Sequence, residues 1–269
     1  MKNTPKYALV TLAIGEFYEE MAKSTHPLME RYAAKVNAEF IVISEPIIAL
    51  KTGLPTKYEK FQLYDLFEIY DRILFVDTDI VILPNAPDVF NVVDPEHFGA
   101  VSEESFSGAS LEKRVTQEQL GELDWIRPYI NSGVMVIPKS ARDLFDYNRT
   151  TLIHWAVGDF RKNHPTLLND QPYLSYHINK LHIKFQELSY RFNHTRAMPN
   201  SHKRFTSFFI HYSGGSGHRY GTRLNQIHLD SKLAHNVFFR TLSRILPAYR
   251  WVADRLNFAF VNYLFDKRT

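Results

Sequence analysis

The chain has 269 residues, 45% of them hydrophobic, and its 32 basic and 29 acidic residues leave a net charge of +3. Such a chain can bury the core of one large domain or two small ones, and its balanced charge excludes disorder and a nucleic-acid partner. It contains no cysteine, which excludes disulfides, thiolate zinc sites and a cysteine nucleophile. The first apolar stretch is too short for a membrane span or a signal peptide, so we expect a cytoplasmic protein.

Apolar runs of strand length alternate with amphipathic stretches of helical period along most of the chain. In chain order they predict a strand at 7–13, a helix at 16–35, a strand at 39–44, a helix at 56–70, strands at 72–84, 98–102 and 132–137, and helices near 140–158 and 170–180. Pro27 should kink or interrupt the first helix, because proline has no backbone N–H to donate. The apolar strands lack polar alternation, which indicates an α/β fold with a mostly parallel, mixed sheet flanked by helices.

The last part of the chain has a different character. Residues 232–269 have a helical pattern, many aromatic side chains, and seven basic residues against two acidic ones. We therefore predict a catalytic domain at 1–225 and a basic, aromatic, helical extension at 226–269. No apolar stretch in this extension can span a bilayer, but aromatic residues mixed with arginines suit the surface of an anionic membrane. The alternative is a helical pair packed on the domain with its arginines in solvent.

Two acids interrupt the most apolar of the predicted strands. Asp77 and Asp79 lie two residues apart, and residues two apart in a strand face the same side. Buried carboxylates are costly unless they are paired or bind a cation, and no basic residue accompanies them within the motif. Carboxylates suit Mn²⁺ or Mg²⁺, which can in turn neutralise a diphosphate leaving group. The alternative is a strand end whose acids cap a turn.

A second enzyme class uses the same local pattern. Haloacid-dehalogenase-like phosphohydrolases place an Asp-x-Asp after an apolar strand, and the first acid, here Asp77, would be the nucleophile. Val81 fits their pattern, two residues after the second acid. They also need a late pair of acids on a strand end, and here Asp170 stands alone while Asp230 lies in a polar segment. This interpretation stays open as an alternative.

Four segments carry motifs in a recognisable order. They are Val10-Thr-Leu-Ala-Ile-Gly-Glu-Phe-Tyr18, the stretch from Lys60 to Asp79 that ends in Phe-Val-Asp-Thr-Asp, Tyr129-Ile-Asn-Ser-Gly-Val-Met-Val-Ile137, and Leu168-Asn-Asp-Gln-Pro-Tyr-Leu174. With this order and spacing, residues 7 to about 218 resemble the family-8 retaining glycosyltransferases, the group of glycogenin and bacterial lipopolysaccharide galactosyl- and glucosyltransferases. The resemblance implies a GT-A fold, a Mn²⁺ (or Mg²⁺) cofactor and a nucleotide-sugar donor of the UDP-hexose type.

The resemblance also implies which residues hold the donor. Thr11 and Leu12 would touch its base and ribose, and Tyr18 would stack on the uracil. Lys60 would lie near the donor phosphates or the sugar. The residues of the Asp-x-Asp motif would bind the donor through the metal, and they are Asp77, Thr78 and Asp79.

Two further segments would meet the donor sugar. The resemblance implies that Asn131, with its neighbours Ser132 and Gly133, touches that sugar. It places Asp170 and Gln171 beside the anomeric carbon as candidate catalytic residues. We expect Asp170 to orient the substrate or stabilise charge rather than to act as a nucleophile. The alternative for this aspartate is helix N-capping, a role that the residue type performs well.

The chain departs from the family at one motif. The family usually has His-x-x-Gly-x-x-Lys, in which the His is the third metal ligand and the Lys binds the diphosphate. His211 and Gly214 fit this pattern, but Gly217 replaces the lysine. Backbone amides at these glycines can bind an anion, and we expect His218 or Arg219 to take over the lysine's role.

Together these features predict a metal-dependent, retaining hexosyltransferase. Its acceptor would be a glycan or a lipid-linked molecule, and the basic extension would hold the enzyme on the cytoplasmic face of a membrane. Because the family lysine is missing, a nucleotide-sugar-binding protein without catalysis remains an alternative.

Overall fold

The structure is a computed structural model, and it describes residues 5–105, 108–158, 170–196, 198, 201–213 and 220–235. The strands are β1 (Tyr7–Leu12), β2 (Glu39–Ile43), β3 (Arg72–Val76), β4 (Ile80–Ile82), β5 (Phe98–Ser102), β6 (Ile130–Pro138), β7 (Phe185–Glu187), β8 (His194–Thr195) and β9 (Phe209–His211). The α-helices are α1 (Glu16–Lys35), α2 (Ile47–Thr52), α3 (Leu63–Leu66), α4 (Val89–Val92), α5 (Ala109–Leu120), α6 (Thr150–Val157), α7 (Gln171–Lys180) and α8 (Tyr220–His235). Short 3₁₀ helices occupy Thr56–Gln62, Lys139–Phe145, Tyr190–Phe192 and Ser201–Thr206.

A six-stranded sheet in the order β2-β1-β3-β6-β5-β7 forms the centre of the fold. The pairs β1–β2, β1–β3 and β5–β7 are parallel, whereas β6 runs antiparallel to both of its neighbours. A small second sheet has the order β4-β9-β8. The predicted α/β fold with a mostly parallel mixed sheet is therefore confirmed.

Both faces of the large sheet are covered, which explains its uninterrupted apolar strands. Alternate residues of β3 enter different cores: Ile73 and Phe75 pack with aromatic residues such as Trp155, while Leu74 packs against α1 through Met29. These side chains are all fully buried. Because successive strand residues point to opposite faces, a strand that is buried on both sides must be apolar throughout.

Helix α1 is continuous from Glu16 to Lys35 and contains Pro27, so the helix is not interrupted there, as the sequence had allowed. Pro27 lies on the exposed side of the helix. On the other side, Met21, Leu28 and Met29 are buried against the sheets. This tertiary packing offsets the hydrogen bond that proline cannot make.

Two predicted helices are shorter and less regular than expected. Residues 56–70 form a 3₁₀ helix at Thr56–Gln62 followed by the single turn of α3, and the segment 140–158 divides into a 3₁₀ helix and α6. The predicted strand at 72–84 also breaks, because β3 belongs to the large sheet and β4 to the small one. The two acids lie in the crossover between the sheets and not within a strand, which corrects the expectation drawn from strand geometry.

Helix α8 contains the predicted domain boundary near residue 225. Its Ile227 and Ala234 are buried in a cluster with Met21 of α1, and its Asp230 accepts hydrogen bonds of 2.6 and 2.9 Å from Arg204. Residues 236–269 lie outside the described part of the chain, so the division into 1–225 and 226–269 stays a prediction. Within the described ranges, no helix combines the length and apolar character that a bilayer span requires.

Candidate active site

A cleft opens where β1 and β3 end, next to the start of α7. It brings together residues from five separate parts of the sequence, and its lining consists of Leu12, Ile14, Tyr18, Thr56, Lys57, Lys60, Asp77, Thr78, Asp79, Asp170 and Arg223. Seven of the residues that the sequence predicts to hold the donor or act in catalysis therefore share one cavity. Thr11 differs, because it is fully buried in β1 and does not line the cleft.

Backbone hydrogen bonds hold the acid pair at the crossover. The N–H of Asp77 donates to the carbonyl of Gly133 in β6 over 2.8 Å, and the N–H of Tyr212 donates to the carbonyl of Asp79 over 3.0 Å. The side-chain hydroxyl of Thr78 between them donates to the carbonyl of Leu12 at the end of β1. The segment is therefore anchored to the interior of β6, to the end of β1 and to the residue that follows β9, and both acids line the cleft.

Asp77, Asp79 and His211 form a group that can hold a metal ion. Their ligand atoms lie within 4.8 Å of one another, with His211 Nε2 at 3.2 Å from Asp79 Oδ1 and 3.8 Å from Asp77 Oδ2. An octahedral ion with ligands at about 2.1 Å requires separations of about 3 Å for adjacent ligands and about 4 Å for opposite ones. Two carboxylates and an imidazole suit Mn²⁺ or Mg²⁺. The three residues therefore fit such an ion.

Basic side chains from distant parts of the chain also reach the acids. Lys60 Nζ lies 2.6 Å from Asp170 Oδ2 and 3.7 Å from Asp77 Oδ1, and Arg223 Nη1 lies 3.3 Å from Asp79 Oδ2. The acid pair is therefore not left without protein cations. The motif holds no such partner locally, but the fold supplies one to each acid.

Charge coupling shifts the pKa values in the cleft. Burial by itself would raise the pKa of Asp79, but His211, together with Arg223 and Arg196, holds it below its usual value. Burial would lower the pKa of His211, but Asp79 and Asp77 outweigh this effect and raise it. Burial raises the pKa of Asp77 despite the opposing charges of Lys60 and His211. The two acids thus raise the affinity of His211 for a proton, and a divalent cation would compete with that proton.

Asp170 points into the cleft from the start of α7. Its Oδ2 accepts hydrogen bonds from Lys60 Nζ at 2.6 Å and from Ser132 Oγ at 2.8 Å. It occupies the N-cap position, but its side chain makes no capping hydrogen bond, and Pro172 in the first turn has no N–H to offer. The alternative of helix capping is therefore wrong for the side chain, which is held by Lys60 and Ser132 instead.

A string of polar side chains runs beneath the cleft. Gln171 Nε2 donates to Glu103 Oε2 over 2.7 Å, and Asn131 Nδ2 donates to Glu103 Oε1 over 3.1 Å. Asn193 Nδ2 donates to Asn131 Oδ1 over 2.6 Å, and Asn193 Oδ1 lies 2.7 Å from His211 Nδ1. Sequence reasoning missed Glu103. Its one signal is an acid that directly follows the end of an apolar strand.

Gly133 provides space for the metal-binding histidine. A Cβ atom at this position would lie 2.9 Å from His211 Nδ1 and closer still to Cε1 of the same ring. In the structure this residue packs against His211, and its predicted contact with the donor sugar stays a prediction.

The start of α1 contributes an aromatic side chain to the wall of the cleft. Tyr18 lies there with 46% of its surface exposed, next to the ring of Phe17 at a centroid distance of 5.3 Å. An exposed aromatic ring at the wall of a polar cleft can stack on a base. Leu12 lies on the same wall.

The residues predicted to bind the diphosphate, through backbone amides or in place of the family lysine, lie outside the described residues. These are Gly214, Gly217, His218 and Arg219. The structure adds Arg223 of α8, which sequence reasoning missed although it is the next basic residue after Arg219. Its guanidinium lies over the ring of Phe17 at 5.3 Å.

Comparison with known proteins agrees with this geometry. The profile described as glycosyl transferase family 8 matches residues 17–216. A glycosyltransferase involved in the glycosylation of the major capsid of PBCV-1 has a TM-score of 0.53 and 16% identity, over 84% of this chain and 100% of its own. The galactosyltransferase LgtC, in complex with donor and acceptor sugar analogs, has a TM-score of 0.50 and 16% identity, over 86% of this chain and 97% of its own.

The bifunctional glycosyltransferase WbbM reaches a TM-score of 0.54 at 12% identity, over 91% of this chain and 52% of its own. At such identities these likenesses show the fold alone, which is the GT-A fold. No curated protein sequence matches the chain significantly. The family profile covers most of the sequence and includes both acids, Asp170 and His211. The chain therefore belongs to glycosyl transferase family 8 and is a glycosyltransferase.

Proposed function

We propose that this enzyme transfers a hexose from a UDP-sugar to a glycan or lipid-linked acceptor, with Mn²⁺ as cofactor and with retention of anomeric configuration. One observation carries the proposal. Asp77 and Asp79 line the same cleft as the Lys60–Asp170 pair, and the buried His211 lies against both acids as a third possible metal ligand. Metal ligands and a buried acid–base pair are thereby placed within reach of one bound donor.

A series of contacts supports a single direction for the donor. Arg223 lies over Phe17, next to Tyr18, and also reaches Asp79. Lys60 reaches both Asp77 and Asp170. Tyr18 and Leu12 at one end offer an aromatic ring and an apolar wall to the uracil and ribose. Asp77 and Asp79 lie in the middle, where the diphosphate would sit, and Asp170 lies at the other end, next to the sugar. The metal held by the acids and His211 would supply electrostatic stabilisation of the departing diphosphate.

The chain's own cations share that task. Arg223 lies 3.3 Å from Asp79 and lines the cleft, so its guanidinium can bind a phosphate oxygen with its planar donors. Its Nε has no hydrogen-bond partner among the described residues, although it is buried. Arg223 thus supports phosphate binding in a chain that lacks the family lysine, alongside the predicted roles of His218 or Arg219.

We assign Asp170 an orienting and charge-stabilising role rather than that of a nucleophile. Its Oδ2 already accepts two short hydrogen bonds, one of them from a buried ammonium group. Such bonds lower the electron density available for attack, and they fix the position of the carboxyl group near any positive charge that develops on the sugar. Gln171 beside it is buried and would act through its amide.

The alternatives lose support at this site. The family match does not favour a phosphohydrolase with Asp77 as nucleophile, and Asp77 faces Lys60 and His211, which suits a metal ligand. A binding protein without catalysis is disfavoured by the same family match. Membrane association through residues 232–269 is supported by the charge and aromatic content of the sequence alone, since most of this segment lies outside the described residues.

A donor panel tests the proposal. Calorimetry with UDP- and GDP-hexoses should show binding that requires Mn²⁺ and disappears with EDTA, and slow hydrolysis of the bound donor should identify the sugar. Equal affinity with EDTA and with Mn²⁺ would exclude the metal-bridged donor. Release of phosphate from simple phosphomonoesters, with phosphorylated Asp77, would establish the phosphohydrolase instead.

A further inference from the structure

We propose that Glu103 is a positioning residue which sets, through a string of amides, both the orientation of Gln171 and the tautomer of His211. The inference extends the proposed function, because its consequence for metal binding depends on the site at His211. It assigns a role to an acid that belongs to none of the sequence motifs.

The carboxylate of Glu103 is the point where two branches of the string meet. Each of its oxygens accepts one amide N–H, from Gln171 over 2.7 Å and from Asn131 over 3.1 Å. An ionised carboxylate can only accept, so both amides must turn their NH₂ groups towards it.

Two backbone N–H groups impose the same orientation independently. The N–H of Gly133 donates to Asn131 Oδ1 over 2.9 Å, and the N–H of Ser132 donates to Gln171 Oε1 over 3.2 Å. A backbone N–H can only donate. If either amide were flipped, its NH₂ group would face the backbone N–H, and its carbonyl oxygen would face the carboxylate of Glu103. Each of the two side chains is therefore left with one orientation.

The branch through Asn131 determines the tautomer of His211. Asn131 Oδ1 also accepts from Asn193 Nδ2 over 2.6 Å, which turns Asn193 Oδ1 towards His211 Nδ1 at 2.7 Å. A carbonyl oxygen requires a donor there, so Nδ1 carries the proton. In the neutral ring the lone pair is then on Nε2, the atom that faces Asp79 and Asp77 and would bind the metal.

The branch through Gln171 acts on the other half of the site. It fixes the amide of Gln171, the residue directly after Asp170, whose carbonyl oxygen accepts a hydrogen bond from the backbone N–H of Ser132. A single carboxylate thus orders the metal-binding side and the sugar-binding side of the cleft together. Replacing Glu103 by Gln would put one donor into the string, and either Asn131 or Gln171 would then face it donor to donor.

The tautomer can be measured directly. Long-range ¹H–¹⁵N spectra of the metal-free protein, with His211 assigned by His211→Gln, should show the Nδ1–H form where the ring is neutral. Asn193→Ala should lose this preference, whereas Asn193→Asp, which still accepts from Nδ1, should retain it. An unchanged tautomer in Asn193→Ala would overturn the inference for His211.

Metal affinity and turnover give the second readout. Asn193→Ala should weaken Mn²⁺ binding about 10- to 100-fold, as losses of partners behind metal-binding histidines do. Glu103→Gln should slow donor hydrolysis and shift part of the His211 population to the other tautomer. If Glu103→Gln matches the wild type both in the rate of donor hydrolysis and in the tautomer of His211, Glu103 positions neither Gln171 nor His211.

A matched control separates positioning from general stability. Asn179 lies near the end of α7 and is also buried. It makes three hydrogen bonds to backbone atoms, two with Arg127 and one with Ser175, the shortest at 2.6 Å. Asn179→Ala should lower stability without changing the tautomer or the Mn²⁺ affinity. If the wild-type protein does not bind Mn²⁺ at all, the proposed metal site fails, and the spectra still decide whether the string sets the tautomer.

Discussion

The packing of Gly133 beneath His211 gives the sharpest test of how the metal site is built. In Gly133→Ala the new Cβ would lie 2.9 Å from His211 Nδ1 and 3.0 Å from Asn131 Oδ1. The first distance is roughly 0.6 Å short of a comfortable van der Waals contact. His211 is 3% exposed and is tied to Asn193, so the ring cannot move away into solvent.

A shift of this size is large for a metal site. Ligand distances in such sites are held to about 0.2 Å, so a displaced ring loses its bond to the ion or strains it. We expect Gly133→Ala to weaken Mn²⁺ binding about 10- to 100-fold, which corresponds to about 1.4–2.8 kcal/mol. Overpacking should also lower the free energy of unfolding by about 1–3 kcal/mol.

Free Mn²⁺ can be counted by electron paramagnetic resonance during a titration, and denaturant unfolding measures the stability. Gly99→Ala is the matched control, because Gly99 lies in β5 of the same sheet and does not line the cleft, and a Cβ there would lie 2.6 Å from Val93. It should lose stability and keep wild-type Mn²⁺ affinity. Wild-type affinity in Gly133→Ala would refute the argument that this glycine seats the metal ligand.

Four further predictions follow from the described contacts. Asp170→Asn should reduce turnover far more than donor affinity, measured as kcat against Kd, because its charge acts mainly in the transition state; unchanged turnover would remove it from the site. Arg223→Gln should weaken UDP binding in the presence of Mn²⁺ but tighten Mn²⁺ binding without nucleotide, since it removes a cation that competes for Asp79. Calorimetry measures both affinities, and a loss of both would contradict this explanation. Removing residues 236–269, which leaves α8 complete, should abolish flotation with anionic vesicles at low salt, with each lost cation contributing on the order of 1 kcal/mol; an intact chain that ignores such vesicles would favour a soluble acceptor. Burial lowers the pKa of His177 to about 4, so on acidification the unfolded chain binds a proton at this residue before the folded chain does. The free energy of unfolding should therefore fall by up to about 3 kcal/mol as the pH drops from about 6.5 to 4. His177→Leu should reduce this loss, which denaturant titrations at several pH values would measure.

The sequence by itself determined most of the framework. The strands β1, β2 and β5 and the helices α1 and α7 lie within one or two residues of the predicted positions, because a continuous apolar run or a helical period is a local property. The apolar run around Asp77 and Asp79 also predicts the acid pair, whereas Lys60 and Asp170 follow from the family resemblance, and the cleft holds all four. Local patterns suffice here because burial on both faces of the sheet leaves the strands little choice of residue.

Only the tertiary structure decided how the acids are presented and what surrounds them. The apolar run at 72–84 looks like one strand, but pairing with β1 and β6 on one side and with β9 on the other divides it at the acids. Arg223 reaches Asp79 across 144 positions of sequence, and Gln171 reaches Glu103 across 68. No local pattern specifies such pairs, since a buried charge or amide takes its partner from whichever strand or helix the fold brings within hydrogen-bonding distance.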